Sequence, residues 1–322
     1  MRRSIAMLGF VLLLLLPMIG ATGARALTCS AGMTPISFGE VDVLAGARHD
    51  SAGVLTVSCA DGPQEGGHVV RACASIGPGQ SSSYPPRQLR NGSSALQFDL
   101  YPAATGDAPW GSWSGAYGAY LGVEMDIALV DGRGSAQRNV YGSILPSQKA
   151  APAGAYVASF ADAATNLAYA VDAASTPCSS LAGAVTQFQF VATATVRPNC
   201  LVVASDLSFG SVGDLSRPVD GQTSLQLTCS SGLAFAIGLD GGRAQASDPR
   251  SRRMTNGTES VVYGLYRDAG RVSPWGSTAG VDAYAGTGVA SAVSIPVYGR
   301  IPAGQTPTAG LYSDVIVVTV TY

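Results

Sequence analysis

From residue 315 to residue 321 every position is β-branched, and tyrosines stand nearby at Tyr312 and Tyr322. The run has no proline, and Gly310 is its last glycine. Such a stretch predicts a pleated, well-buried strand. Strand periodicity puts Ile316, Val318, Val320 and Tyr322 on one face and Val315, Val317, Thr319 and Thr321 on the other. Shorter stretches of the same character recur at 54–59, 69–76, 95–101, 224–229, 233–239 and 261–267. In 185–196, Phe188, Phe190, Ala192, Ala194 and Val196 alternate with small or polar residues, as a half-buried strand requires. No long 3.6-residue pattern appears, so the chain is expected to be all-β. The printed sequence stops at Tyr322 with no following strand. An apolar strand left at a sheet edge invites pairing with another chain.

The first residues follow a different pattern. Arg2 and Arg3 precede an apolar run over 5–19, and Ala24-Arg25-Ala26 follows it. These are the charged, apolar and small-residue parts of a secretory signal peptide, expected to span 1–26 and to be cut after Ala26. Its apolar core of about a dozen residues is short of the ~20 that cross a bilayer. The formal charge of -2 becomes about -5 once Arg2, Arg3 and Arg25 are removed. With no basic stripe, nucleic-acid binding is not expected.

The second half of the chain repeats the first. Cys29 to Phe38-Gly39 matches Cys200 to Phe209-Gly210, and Cys59 matches Cys229. Asn91-Gly92, Leu100-Tyr101 and Pro109-Trp110-Gly111 match Asn256-Gly257, Leu265-Tyr266 and Pro274-Trp275-Gly276 at one constant offset. Val140-Tyr141-Gly142 matches Val297-Tyr298-Gly299, and Gly154-Ala155-Tyr156 matches Gly310-Leu311-Tyr312. Two related domains are expected, 27–197 and 198–322, each an immunoglobulin-like β-sandwich of short strands and Gly-rich turns. Six cysteines allow fifteen pairings. The repeat suggests Cys29 with Cys59 and Cys200 with Cys229, which leaves Cys73 and Cys178, without counterparts, for each other. Repeat one continues into the strand at 185–196 and repeat two does not. The C-terminal sandwich is therefore expected to lack its last strand.

These residues resemble the spore coat protein U domain, the subunit domain of archaic (Csu-type) chaperone–usher pili. The resemblance covers nearly all of the expected mature chain, twice. In repeat two it rests on Cys200, Phe209-Gly210, Cys229, Leu265-Tyr266, Trp275-Gly276, the run from Val297-Tyr298-Gly299 to Ala303-Gly304, and Gly310-Leu311-Tyr312-Ser313-Asp314 with its apolar sequel. The resemblance implies a missing strand supplied first by a periplasmic pilus chaperone and then by the N-terminal extension of an adjacent subunit, assembled at an outer-membrane usher. Val315, Ile316, Val317, Val318, Val320 and Tyr322 would form the accepting strand. Only Leu27 and Thr28 lie between the expected cleavage site and Cys29, too few to donate a strand. A chain that accepts but does not donate resembles the two-domain tip adhesin of such pili. It would be exported through the periplasm to the cell surface, attaching cells to an abiotic or host surface in biofilm formation. The alternative is a structural spore-coat or envelope protein without adhesive activity.

In an immunoglobulin-like strand order the bridges of the first domain gather at one pole, and the seam at Arg197-Pro198 leaves from the other. The bridged pole would face the target. Candidate binding residues in its loops are Trp113, Tyr117, Tyr120, Leu121 and Leu181, since aromatic rings give large contact area at low entropy cost. Trp113 reads equally well as a core residue, and Trp110, with its counterpart Trp275, reads better as one. Val123 to Val130 with the Asp131-Gly132 turn would form an added hairpin.

Candidate chemistry is sparse. His49 and His68 lack zinc-ligand spacing, and no Cys-x-x-Cys occurs. Gly111-Ser112-Trp113-Ser114-Gly115 has Trp where a nucleophile elbow has Ser. Neither an enzyme nor a bound cofactor or metal is expected.

Overall fold

The computed structural model describes residues 27–62, 67–79, 84–106, 108–112 and 122–322. Twelve strands are described in the N-terminal half. They are β1 (Thr28–Met33), β2 (Ile36–Val41), β3 (His49–Ala60), β4 (Val69–Ile76), β5 (Arg87–Asn91), β6 (Ser94–Tyr101), β7 (Val123–Ala128), β8 (Arg133–Ile144), β9 (Gly154–Phe160), β10 (Thr165–Val171), β11 (Ala184–Thr186) and β12 (Phe190–Val196). One sheet runs β1-β3-β8-β6-β5-β9-β12-β2, and a smaller one runs β11-β10-β4-β7.

The opening strand of the repeat is broken in two. β1 pairs antiparallel with β3, placing Cys29 opposite Cys59. Pro35, which offers no N–H, follows, and β2 then pairs parallel with β12. The expected last strand is also broken. β11 pairs with β10 in the small sheet, whereas β12 lies between β9 and β2. Phe188 just before it and its inward residues Phe190, Ala192, Ala194 and Val196 are all buried. Phe190 stacks on Phe160 with ring centroids 4.5 Å apart and lies 6.1 Å from Trp110. One apolar cluster includes all of these.

The C-terminal half holds β13 (Cys200–Ala204), β14 (Val219–Cys229), β15 (Ala234–Leu239), β16 (Arg252–Thr255), β17 (Ser260–Tyr266), β18 (Tyr284–Thr287), β19 (Val293–Ile301) and β20 (Val318–Thr321). These form sheets β13-β14-β19-β17-β16 and β18-β15-β20. They enclose a separate apolar cluster centred on Leu225, Ile237, Leu265, Trp275 and Ile295. The three disulfides are Cys29–Cys59, Cys73–Cys178 and Cys200–Cys229.

Two expectations need correction. The hairpin read at 123–134 is not an addition and not one sheet's hairpin. β7 pairs with β4 and β8 with β3, so the Asp131-Gly132 turn, with φ of 51° and 73°, joins the two layers. β7 also has a counterpart in β18, which pairs with β15 as β7 does with β4. The terminal strand is the second. Only Val318–Thr321 is a paired strand, and Val315, Val317 and Tyr322 are more than half exposed. A strand needs hydrogen-bonding neighbours, and among the described residues 314–317 have none on the side where β12 flanks β9.

Candidate strand-accepting groove

The N-terminal half is an internal template for the C-terminal one, and the register between them is fixed by repeated side-chain bonds. Tyr156 donates to the carbonyl of Pro152 at 2.8 Å, and Tyr312 donates to that of Thr308 at 2.9 Å. This is the tyrosine-corner arrangement of immunoglobulin-like sandwiches. Trp110 Nε1 donates to Ala74 at 3.0 Å, and Trp275 Nε1 to Ile237 at 2.8 Å. Phe38 meets Phe98 edge to face at 6.0 Å, and Phe209 meets Tyr263 likewise at 6.1 Å.

With that register, 310–316 corresponds to β9 and 207–212 to β2. Neither is a strand. Each retains its place without its neighbour. β9 touches β5 through one pair, Arg90 with Val157, and the matching pair Thr255 with Ser313 persists as an isolated bridge. What differs is the other side. β9 and β2 are held by β12, and among the described residues nothing lies between 207–212 and 310–316. Their ladder groups on that side are unpaired, so the regular pattern lapses although the local sequence, Leu207-Ser208-Phe209-Gly210, closely matches Ile36-Ser37-Phe38-Gly39.

The space between them is a groove of about 520 Å³. Leu225, Leu239, Leu265 and Val297 form its floor, and Leu207, Phe209, Tyr312, Asp314, Ile316 and Val318 line its walls. Of the expected accepting residues, Ile316, Val318 and Val320 pack against the apolar cluster. Val315, Val317 and Tyr322 are more than half exposed, Val315 at the margin of the groove.

The groove has one polar wall. Asp314 stands where the N-terminal half has Ala158, and Tyr263 where it has Phe98. The Tyr263 hydroxyl donates to Asp314 Oδ2 at 2.8 Å. The backbone N–H groups of Arg243 and Val315 donate to Oδ1 at 2.9 Å and 2.8 Å. Burial, reinforced by Asp314, pushes the Tyr263 phenol well above its usual range, so it stays a donor. At the start of the wall, Glu259 Oε2 accepts from the N–H and hydroxyl of Thr308 at 2.7 Å and 2.9 Å. Those bonds, the backbone one first, hold the Glu259 carboxyl below the ordinary range.

β16, whose Met254 lines the groove, carries a residue whose burial the sequence alone does not mark. Arg252, fully buried, donates to the carbonyls of Asp240, Pro249, Leu239 and Trp275. Arg87 occupies the same place, donating to Gly77 and Trp110 and pairing with Asp99. The two arginines share the constant offset of the two tryptophans, which is the signal that marks them.

Of the expected surface-binding residues, Trp113, Tyr117, Tyr120 and Leu121 lie outside the described residues. Leu181 is half-buried, just after the short 3-10 turn Cys178–Ser180. The segment 172–183 crosses the outer face of the small sheet. Cys178 is bonded to Cys73, and Arg71 donates to the Thr176 carbonyl at 3.0 Å while pairing with Glu124 and Asp126. His68 pairs with Asp172 at 2.9 Å.

A family model of the spore coat protein U domain matches residues 18–161 and 186–319. Protein U of Myxococcus xanthus is 33% identical over 107 residues, which cover 32% of this chain and 59% of that protein, so the chain spans about three-fifths of its length. Among solved structures, the CsuC–CsuE chaperone–tip adhesion subunit pre-assembly complex of archaic Csu pili from Acinetobacter baumannii aligns at a TM-score of 0.52 and 15% identity. That alignment covers 92% of this chain and 100% of the matched one. The CupB6 tip adhesin of Pseudomonas aeruginosa aligns at 0.39 and 13% identity, over 92% and 94% of the two chains.

Proposed function

The chain belongs to the spore coat protein U domain family, and we propose that it is the terminal, surface-attaching subunit of a chaperone–usher pilus. One observation carries the reading. The slot that β12 fills in the N-terminal half is open in the C-terminal half, walled by the same elements and floored by apolar side chains. A strand inserted there would gain a backbone ladder on both sides and bury alternate side chains, which is β-strand addition. In this reading residues 27–197 form a self-completed domain and 198–322 a domain completed from outside. A pilus chaperone occupies the groove in the periplasm, and an adjacent subunit's N-terminal strand replaces it at the usher. The self-completed domain needs no donor and sits at the fibre end. Its bridged pole, with Trp113, Tyr117, Tyr120, Leu121 and Leu181, faces an abiotic or host surface, as biofilm attachment requires.

The test is to occupy the groove in cis. The chain is extended after Tyr322 by a flexible linker and a copy of residues 187–196. The unextended chain is expected to co-purify with the pilus chaperone of its own cell and to enter fibres, and the extended chain to do neither. Equal chaperone binding by both would sink the proposal. A second reading, a coat or envelope protein without adhesive activity, is favoured by the family's description and the likeness to Protein U. It predicts normal surface attachment by cells lacking the protein.

A further inference from the structure

The two slots differ most at one inward position. In the N-terminal half Ala192 of β12 lies directly opposite Ala158, and Phe98 completes an apolar surround. By the same register, the strand entering the C-terminal groove places a side chain opposite Asp314, with Tyr263 at the Phe98 place. Directly opposed Cβ atoms in an antiparallel pair sit roughly 4.5–5.5 Å apart, so that side chain meets the carboxylate.

We propose that Asp314 selects a hydrogen-bond-donating side chain, serine or threonine, at the middle inward position of the strand that completes this domain. This rests on reading the groove as a strand acceptor and goes beyond it by specifying the donor's chemistry. A carboxylate offers about four acceptor sites. Arg243 N and Val315 N use two on Oδ1 and the Tyr263 hydroxyl uses one on Oδ2, which leaves one on Oδ2 in a residue that lines the groove. Closing the groove removes water from that carboxylate. An apolar side chain over it leaves the last site unmet, whereas a hydroxyl meets it with a charge-assisted bond. The other inward positions carry no such demand. The position opposite Ile316 matches Phe190, which lies opposite Phe160, and takes a large apolar group. The occupant is thus an extended segment running antiparallel to 310–316 and parallel to 207–212, apolar at alternate positions with one hydroxyl among them.

The experiment uses the full chain carrying the appended copy of residues 187–196, with Ala192→Ser, Ala192→Thr or Ala192→Val made in the copy only. Thr and Val have the same shape, so their difference reads the hydroxyl and not the volume. In the unmodified chain background the Thr copy is expected to melt several °C above the Val copy, and the Ser copy above the Ala copy, at about 4–8 °C per kcal/mol for a small domain. Ala192→Ser made in β12 itself, where the surround is apolar, is expected to lower the melting of the N-terminal half, so one substitution takes opposite signs in the two slots. Asp314→Ala with Tyr263→Phe recreates the Ala158–Phe98 pair and is expected to erase the Thr preference. The Thr–Val comparison stands without that variant should it fold poorly. Equal melting of the Thr and Val copies, with both well above the unextended chain, would overturn the selection and leave the acceptor groove intact. If no copy raises the melting point, the acceptor reading and this proposal fail together.

Discussion

Arg252 Nη2 donates to the main-chain carbonyl of Trp275 at 2.8 Å, and 165 residues earlier Arg87 Nη2 makes the same bond to Trp110 at 2.5 Å. In both halves a buried guanidinium ties a strand of the large sheet, β5 or β16, to the loop that carries the core tryptophan. Arg252 has no carboxylate partner among its hydrogen bonds, which end on four carbonyls. Only the planar fork of arginine reaches all of them. Arg252→Ala leaves buried acceptors unmet at about 1–3 kcal/mol each. It is expected to destabilise the C-terminal half by at least about 3 kcal/mol in denaturant unfolding, and Arg252→Lys is expected to recover less than half of that. Recovery of full stability by lysine would show that charge, and not the fork, matters.

Glu259 ties the beginning of the groove wall to the hairpin tip through Thr308. Its folded value lies below the ordinary 4.5. Between those two values the folded chain binds fewer protons than the unfolded one. The contribution is therefore complete above the ordinary value and is lost as pH falls through the folded one. Melting curves from about pH 6 down to about pH 3 are expected to show a steeper acid loss for the native chain than for Glu259→Gln. Parallel curves would remove Glu259 from this role.

The segment 172–183 is held across the small sheet by Cys73–Cys178 and by Arg71. That bridge closes a loop with a sequence separation of 105, for which chain-entropy reasoning gives about 4–5 kcal/mol. Cys73→Ser with Cys178→Ser is expected to lower N-terminal stability by about 2–5 kcal/mol and to open 172–183 to limited proteolysis. The C-terminal transition, with its own core and its own bridge at Cys200–Cys229, is expected to stay in place. A shift of both transitions by the same amount would show that the halves unfold as one.

The proposed function puts attachment at the pole away from the seam. Tyr117→Ser with Tyr120→Ser is expected to leave fibre number unchanged and to reduce attached cells several-fold. The same reduction from Val315→Ser with Val317→Ser, two exposed residues before β20, would place adhesion elsewhere.

Much of this was legible because the chain carries its own reference copy. The repeat alone suggests Cys29 with Cys59, and β1 and β3 place the two directly opposite. The constant offset that links Trp110 to Trp275 also links Arg87 to Arg252, but a lone arginine in a polar stretch gives no sign of burial until its carbonyl partners are in place. The state of 207–212 was not legible at all. Phe38-Gly39 and Phe209-Gly210 are the same dipeptide, yet one lies in a strand and the other does not, because the difference is set by β12, far away in sequence. The same cause shortened the terminal strand to Val318–Thr321, where β15 still supplies a neighbour. The Asp314–Tyr263 pair is not legible in the sequence, where an aspartate in an apolar run reads as a turn residue. Ala158 and Phe98 at the matching positions mark it as a substitution inside the slot.

Amide hydrogen exchange along 207–212 and 310–316 measures the groove itself. In the full chain without an added strand these amides are expected to exchange quickly, while β2 and β9, flanking the filled slot, are protected. Appending the copy of residues 187–196 is expected to slow exchange in both C-terminal segments by at least about 100-fold, a change of about 2.7 kcal/mol, and to leave β2 and β9 unchanged. Unaltered exchange at 207–212 and 310–316 in the extended chain would contradict the claim that this half of the molecule is built to be completed by a strand.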